Sequence, residues 1–296
     1  MMKKAILFCV LLLFSVVSFS QDVSTVDYEI TYIFSSSGKT NKIKFICLVP
    51  ADIKGKQKVH TLTYSRQPQR VFSEDGDHYA EFIMERPSKE EKIKISVTID
   101  IYRNDFQNRK KDIAQTGTDM EKYLKNEKFI EKDDPLIIEK AGELKKKTRE
   151  ATIRKIYSFV RNHIQYESHE DELGSVEAFK IKRGDCTEFA DLFIALCRAC
   201  DIPARFAEGF VTNITSNPKH DWAEVYLEGY GWIRFDPTSG NLNEWNTLQN
   251  RYIQLTNTRF NRTINNGGHY WAYRYWGDPI KVSQSFVINK YTAIQK

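Results

Sequence analysis

Hydrophobic and polar residues alternate strictly along the front part of the chain. The first alternating stretch places on one face Val26, Tyr28, Ile30, Tyr32 and Phe34. The same period of two returns in residues 43–47 and 93–101, and turn-forming runs separate these stretches. A period of two with β-branched and aromatic residues is typical of strands that bury one face. We therefore predict a small antiparallel β-sandwich over residues 21–104.

The pattern changes behind this region. Residues 105–118 are polar without a clear period, which predicts a connector. From residue 119 a helical spacing begins, and residues 148–164 carry apolar side chains at steps of three and four. Short alternating stretches return further on, so we predict one larger domain of helices and strands over residues 119–296. The predicted fold class is α+β.

The first twenty residues have the composition of a secretory signal peptide. Lys3 and Lys4 precede an apolar run over residues 5–17, and Ser18 and Ser20 are the small residues expected at a cleavage site. A membrane anchor is the alternative, but the run is shorter than the roughly 20 apolar residues that span a bilayer. We predict cleavage near Ser20 and export to the periplasm or the exterior, without stable membrane insertion of the mature chain.

The charge balance narrows the class of partner. Charged residues make up 28% of the chain and hydrophobic residues 41%, which is typical of a globular protein. The formal charge is +5, and subtracting the positive charges of Lys3 and Lys4 leaves +3. A protein that binds nucleic acid through bulk charge needs a clustered basic surface. A nucleic-acid partner is therefore excluded.

One cysteine stands out as a candidate nucleophile. Cys186 follows Gly184 at the start of an apolar helical stretch, where unpaired N–H groups and the helix dipole favour a thiolate. The plain alternative is a small buried cysteine. Cys47 falls on an inward strand face, and Cys197 and Cys200 fall late in the apolar stretch, which predicts core packing for these three.

No metal or cofactor is predicted. Cys197 and Cys200 have the Cys-x-x-Cys spacing of redox and zinc sites, but no second pair completes a zinc site. The acidic run at residues 75–77 is too short for a calcium loop of the EF-hand kind.

A histidine and an aspartate are predicted to meet at adjacent strand ends. His220 opens an alternating stretch, and Asp236 closes the next one just before a proline. The glycines around Tyr230 predict a hairpin between the two strands. An aspartate at that place can hold an imidazole in one tautomer and stabilise its charged form. Each residue alone is more often structural, but together with Cys186 they predict a thiol catalytic triad.

These segments resemble a known family. The matching residues are 184–186 (GDC), 198–206 (RACDIPARF), 209–211 (GFV), 220–225 (HDWAEV) and 231–238 (GWIRFDPT). They resemble the transglutaminase-like superfamily of papain-fold thiol enzymes, in particular secreted bacterial members with a β-sandwich ahead of the catalytic part. The resemblance is specific from about residue 164 to residue 238 and fainter back to residue 119.

The resemblance implies a fold and a mechanism. The implied fold is a cysteine-bearing helix packed on an antiparallel sheet that carries the histidine and the aspartate. By analogy, Cys186 is the nucleophile, His220 its base and acid, and Asp236 the orienting residue. The implied chemistry is acyl transfer from an amide through a thioester.

The walls of the predicted site are less defined. One oxyanion donor is expected to be the Cys186 backbone N–H. Gln165, Tyr166 and Trp222 are candidates for the second donor, with Tyr166 preferred. Trp222 and Trp232 are predicted to line the substrate cleft, with core packing as the alternative for both rings.

Three functions stay open. The first is an exported cysteine-dependent hydrolase or acyltransferase, peptidase-like, acting on a peptide or protein amide substrate. The second is a cross-linking transglutaminase with an amine acceptor, and the third is a catalytically silent peptide-binding module. The complete triad favours an enzyme and hydrolysis over transfer. The aromatic-rich part after Gly240 is either a closing strand or a cleft wall, and the oligomeric state is left open.

Overall fold

The computed structural model describes residues 23–36, 38–105, 120–168, 172–214, 218–238, 245, 247–264 and 270–294. The predicted signal peptide lies outside these ranges, and so does nearly all of the predicted connector. Within them, no helix has both the length and the apolar character required to cross a membrane.

The described chain contains an N-terminal group of strands, a helical middle and a second group of strands. The N-terminal strands are β1 Val23–Ser36, β2 Thr40–Leu48, β3 Gln57–Tyr64, β4 Arg70–Glu74, β5 Asp77–Glu85, β6 Glu90–Tyr102 and β7 Asn104–Asp105. The middle comprises a 3-10 turn at Glu121–Leu124, then α1 Pro135–Leu144, α2 Arg149–His163, β8 Gln165–Tyr166, α3 Gly174–Ile181, β9 Arg183–Gly184 and α4 Cys186–Ala199. The later elements are β10 Ala204–Val211, β11 Lys219–Leu227, β12 Gly231–Phe235, β13 Thr247–Leu248, β14 Tyr252–Thr256, a 3-10 turn at Arg262–Ile264, β15 Trp271–Gly277 and β16 Ile280–Ile294.

Two antiparallel four-stranded sheets form the predicted sandwich. Their strand orders are β16-β1-β6-β3 and β15-β2-β5-β4. The alternating apolar faces meet between them, as when the rings of Tyr32 and Phe45 lie 4.7 Å apart between centroids. Cys47 is fully buried in this core. The α+β fold class with a β-rich N-terminal region is confirmed.

The last two strands complete the sandwich. The prediction assigned residues 119–296 to the catalytic domain, but β16 pairs with β1 from Val23↔Ile294 to Ser36↔Ile280. β15 pairs with β2 in the other sheet. The aromatic-rich segment after Gly240 therefore supplies closing strands, and the catalytic region lies between two parts of one sandwich. The aromatic composition of this segment allowed a closing strand, but it carries no information about a partner far away in sequence.

Helix α4 packs on one face of a separate antiparallel sheet. This sheet has the order β12-β11-β10-β14. Side chains of β10, β11 and β12 join α4 and its neighbouring helices in one apolar core, for example Phe206, Val225 and Phe235. Phe193 of α4 lies 5.8 Å from Phe235 between ring centroids. α4 is buried on nearly all sides from Glu188 to Arg198.

Buried polar contacts join the sandwich to this second sheet. Lys56 forms an ion pair with Glu224, and Arg205 donates to the same carboxylate at 2.6 and 2.8 Å. Gln57 Nε2 donates to the Gln254 carbonyl at 2.9 Å, and Gln254 N–H donates back to Gln57 Oε1 at 2.8 Å. Charged groups buried away from water need such partners. These contacts therefore fix the position of the sheet β12-β11-β10-β14 against the sandwich.

Candidate active site

Cys186 is the first residue of α4, and the turn before it is tightly capped. Asp185 accepts a hydrogen bond from the Thr187 N–H at 2.8 Å, and Glu188 accepts one from the Asp185 N–H at 3.1 Å. Such a capping box fixes a helix N-terminus. Gly184 leaves room for it, since a Cβ there would lie 2.5 Å from Glu188 Cβ. Glycine is therefore needed at this position for space.

Cys186 is the most accessible of the described cysteines. It is half-buried, whereas Cys47 and Cys197 are fully buried and Cys200 is 5% exposed. None of the four forms a disulfide. The core positions predicted for the other three are thus observed, and within the described ranges no group of three His, Cys, Asp or Glu side chains is placed to hold a metal ion.

His220 and Asp236 meet at the adjacent ends of β11 and β12. His220 Nε2 lies 2.7 Å from Asp236 Oδ2, and both side chains are buried. Burial alone would lower the pKa of His220, but the charge and hydrogen bond of Asp236 raise it above its usual value. The pair is geometrically fit to hold an imidazole as a base and to stabilise its protonated form.

Asp236 is itself held by three further groups. The Tyr252 hydroxyl donates to Oδ2 at 2.7 Å, and the Thr238 N–H donates to Oδ1 at 2.9 Å. The Tyr157 hydroxyl donates to the Asp236 carbonyl at 2.9 Å. Tyr252 and Tyr157 were not found from the sequence, because their elements reach this strand end only through tertiary packing.

The sulfur of Cys186 contacts Asp221 in this structure. Sγ lies 3.9 Å from Asp221 Oδ2, and the Thr187 hydroxyl donates to the same oxygen at 2.6 Å. Between Cys186 and His220, both of them described, no hydrogen bond is formed. Catalytic hydrogen bonds are often loose before substrate binds. His220 and Asp236 are thus joined to each other, and the thiol of Cys186 contacts Asp221, the chain neighbour of His220.

The resting charge state of Cys186 differs from the expectation. Burial raises the pKa of the thiol well above its usual value, and the carboxylates of Asp221 and Asp185 raise it further. The helix N-terminus favours a thiolate, as predicted, but burial and these two acidic neighbours outweigh it. The cysteine therefore rests as a neutral thiol.

Asp221 is a site residue that the sequence did not single out. Burial raises the pKa of its carboxyl to about 6, against the lowering effect of the Thr187 hydrogen bond. The sequence does show that Asp221 follows His220 in a predicted strand. Since neighbouring strand residues point to opposite faces, Asp221 is expected on the face of the sheet opposite to His220. The opposite face is the one on which α4 packs, and that contact was not visible in the sequence.

The three aromatic predictions have different outcomes. Tyr166 is 57% exposed and pairs with Gly184 through β8 and β9, which places it beside the start of α4. Its role as an oxyanion donor stays a prediction. Trp222 is fully buried, with its ring 5.3 Å from that of Tyr252, so it packs behind His220 and is no wall of an open cleft.

Trp232 also faces other partners than a substrate cleft. The guanidinium of Arg205 lies 4.1 Å from its ring centroid, and the ring of Tyr123 lies 4.6 Å away. Such cation–π and edge contacts are ordinary packing for a half-buried indole. The alternative of core packing thus describes Trp222 and Trp232 better than the cleft prediction.

Comparisons with known proteins agree with this architecture. Residues 138–237 match the family described as the transglutaminase-like superfamily. YebA of Bacillus subtilis (strain 168), an uncharacterised protein, is 33% identical over 76 residues, which cover 21% of this chain and 10% of YebA. A candidate cysteine protease from Cytophaga hutchinsonii has a solved structure with a TM-score of 0.65 at 18% identity, covering 94% of this chain and 92% of that one. The solved structure of the periplasmic domain of TgpA from Pseudomonas aeruginosa has a TM-score of 0.40 at 12% identity, covering 73% of this chain and 87% of that one.

The fold is α+β, with a cysteine at the start of a helix that packs on an antiparallel sheet. Residues 138–237 are a transglutaminase-like domain, which confirms the resemblance found in the sequence. At 18% identity the Cytophaga structure shows a shared fold, and its coverage extends over the sandwich as well.

Proposed function

We propose that this protein is an exported, thiol-dependent amide hydrolase or acyltransferase that acts on peptide or protein substrates, with hydrolysis as the main reaction. The observation that supports the proposal is the His220–Asp236 pair at 2.7 Å, together with Cys186 at a capped helix N-terminus and in contact with Asp221, the chain neighbour of His220. An oriented imidazole next to a half-buried thiol is the arrangement that nucleophilic catalysis requires. The description of the Cytophaga relative as a candidate cysteine protease points the same way.

Acylation begins with a neutral thiol. Because Nε2 of His220 is engaged by Asp236, Nδ1 is the nitrogen left to accept the thiol proton. As that proton moves, the sulfur bonds to the amide carbon and the carbonyl oxygen becomes an oxyanion. The Cys186 N–H lies in the first turn of α4, where N–H groups have no intrahelical acceptor, so it can donate to this oxygen. Tyr166 is our candidate for the second donor.

During release of the two products, His220 acts first as an acid and then as a base. The tetrahedral intermediate collapses, the C–N bond breaks, and His220 gives its proton to the leaving amine. The resulting thioester is attacked by water as His220 takes a proton from it, and collapse returns the proton to the sulfur. Carboxylic acid, amine and free thiol are the products. An amine in place of water would give a new amide.

A cleavage assay with a tagged amine tests this function. The pure protein is incubated with a casein-type substrate and a fluorescent alkylamine, while new α-amines and incorporated label are measured separately. We expect new α-amines in excess of label, and loss of both in Cys186→Ala. Cys200→Ala, which removes a buried thiol outside the site, is the matched control and keeps both signals. Activity that survives in Cys186→Ala would contradict the proposal.

Export is part of the same proposal. It rests on the signal-like composition of residues 1–20. Fractionation of a bacterial host that produces the full chain, followed by N-terminal sequencing, tests it. A mature form that begins near Gln21 in the periplasm or medium is expected, and full-length protein confined to the cytoplasm would contradict it.

A further inference from the structure

Three carboxylates influence the pKa of Cys186, and two of them are already bound by other groups. The charges that act on the thiol come from Asp221, Asp185 and Asp236. Asp185 caps α4, and Asp236 is bound by His220, Tyr252 and Thr238. Both carboxylates therefore serve the framework of the site.

Asp221 is different, because one of its two carboxylate oxygens accepts no hydrogen bond from a described residue. Oδ2 accepts from the Thr187 hydroxyl, but Oδ1 receives no hydrogen bond from any described residue. The side chain is 91% buried, since only 9% is exposed. Because Oδ1 has no donor among the described residues, the carboxylate keeps an acceptor position that an external cation can fill. Here the open oxygen belongs to a carboxylate that lies 3.9 Å from the nucleophile.

The guanidinium of Arg259, whose charge acts on Asp221, is bound to other carboxylates. Arg259 Nε lies 3.0 Å from each carboxylate oxygen of Asp191, and its outer nitrogen binds Glu172. Among charged groups, His220 lowers the pKa of Asp221 most, and Arg259 lowers it less. Lys219 interacts electrostatically with the half-buried Glu208 as well as with Asp221. The protein thus leaves the thiol beside an acidic group rather than a cationic one.

Resting on the acyl-transfer function proposed above, we propose that Asp221 is a specificity-determining residue that binds an ammonium or guanidinium group of the substrate beside the reacting carbonyl. Since the carboxylate adjoins the sulfur, a cation bound at Oδ1 would lie next to the acyl group that the sulfur holds. The cation can come from the acyl donor, as a lysine or arginine near the scissile bond, or from an amine acceptor.

Binding of such a cation also changes the state of the nucleophile. The thiol now faces a carboxylate that disfavours the thiolate. A substrate cation neutralises this charge, so proton transfer from Cys186 to His220 becomes easier once the correct substrate is in place. Asp221 would in this way couple recognition of charge to activation of the thiol.

Charged thiol reagents test the inference without any turnover. Methanethiosulfonates of similar size, one with a trimethylammonium group and one with a sulfonate group, each form a disulfide with Cys186 and release methanesulfinate. In the wild type we expect the cationic reagent to modify Cys186 faster by on the order of tenfold or more. Mass spectrometry assigns the modification to Cys186.

Two variants identify the group responsible. Asp221→Asn should reduce the cation-to-anion rate ratio severalfold and shift the alkylation profile of Cys186 to lower pH. Thr187→Val keeps the carboxylate but removes its hydroxyl donor, so a smaller fall of the ratio near neutral pH is expected. Asp201→Asn is the charge-matched control, because Asp201 is 84% exposed at the other end of α4, and its ratio should equal that of the wild type. Far-ultraviolet circular dichroism verifies that each variant is folded.

Substrate pairs then distinguish the two sources of the cation. Peptides with lysine or with norleucine beside the scissile amide test the donor, and an alkyldiamine against a simple alkylamine tests the acceptor. If kcat/KM favours the charged peptide or the charged amine, and this preference falls in Asp221→Asn, that substrate is the source of the cation. Equal reagent rates in wild type and Asp221→Asn, both folded, would overturn the inference. Charge-selective modification without cleavage of any amide would instead contradict the proposed function alone.

Discussion

The side chain of Asp236 has its acceptor positions committed before any substrate arrives. His220, Tyr252 and the Thr238 N–H all donate to its two oxygens. Charge-assisted hydrogen bonds of this kind fix both the position of a carboxylate and its ionised state. The residue is therefore suited to orient His220 and to hold a positive charge on it during the reaction.

Replacement of Asp236 by asparagine removes the negative charge next to His220 and tests the role of this pair in catalysis. We expect kcat/KM to fall by roughly 10²- to 10⁴-fold, because the imidazole loses its tautomer and its stabilised cation. The acidic limb of the pH profile should also move to lower pH, since the carboxylate is what raises the pKa of His220. In Tyr252→Phe the charge is retained, so a loss of only about tenfold is expected. An unchanged profile in Asp236→Asn would show that this pair is structural.

Single residues were predictable where local sequence carried their context. Cys186 follows a glycine at a helix start, and His220 and Asp236 flank a hairpin, so each could be placed without a structure. Asp221 was missed because its importance depends on how close α4 lies to β11. The neutral state of the thiol was missed for the same reason, since burial and neighbouring charges are properties of the packed molecule.

At the scale of elements, the start of α4 depends on space as much as on capping. Gly184→Ala would place a Cβ 2.5 Å from Glu188 Cβ and disturb the capping box. We expect the free energy of unfolding in urea to fall by about 1–3 kcal/mol, with a matching loss of activity. Gly142→Ala is the control, because nothing lies within 4 Å of the added Cβ on the exposed face of α1. That change should stabilise the protein by about 0.4–1 kcal/mol. Equal stabilities would contradict the steric argument.

The junction between β3 and β11 depends on one buried carboxylate. Glu224 is bound by Lys56 and Arg205, and all three side chains are largely removed from water. Glu224→Gln leaves two cations without a counter-charge and should cost about 3–5 kcal/mol of unfolding free energy in urea. Lys56→Met leaves the Arg205 pair intact, so a clearly smaller loss is expected. A smaller loss in Glu224→Gln than in Lys56→Met would contradict the assignment.

The same junction predicts a pH dependence. Burial alone would raise the pKa of Glu224, but Lys56 and Arg205 lower it to about 2. A lowered carboxyl pKa gives stability that is present above the pKa of about 4.3 in the unfolded chain and is lost as the pH falls toward 2. The difference in stability between wild type and Glu224→Gln should therefore shrink as the pH falls through this range. A difference independent of pH would indicate that packing alone is responsible.

At the scale of the whole molecule, the sandwich depends on two strands, β15 and β16, that are far in sequence from its other strands. A chain that ends at residue 269 lacks β15 and β16 and exposes the backbone edges of β1 and β2. Unpaired edges promote association and weaken a sheet. We expect this chain to aggregate or to lose cooperative unfolding, as measured by gel filtration and urea titration. Val287→Thr, at a 51% exposed position of β16, should change the stability by no more than about 0.5 kcal/mol. A stable, monomeric truncated chain would show that the two strands are dispensable.

The division of the molecule was the least predictable part of the fold. Alternation identified the strands of the front part of the chain, because period two is a local property, and it left the aromatic-rich part after Gly240 open between a closing strand and a cleft wall. It could not show that the last strands pair with the first, since hydrogen-bond partners leave no mark on composition. The linear division into a sandwich and a following catalytic domain is therefore replaced by a sandwich with the catalytic region inserted into it.

The pairing of β1 with β16 also orders the events of folding. Ser24 and Tyr291 share a hydrogen bond across 267 positions, whereas the helices around α4 contact one another over much shorter separations. Distant contacts carry a larger loop-closure cost and form slowly. We expect the helical part to assemble early and the sandwich to close last, when residues 280–294 have joined β1. Until that moment the sheet on which the catalytic region rests has an open edge.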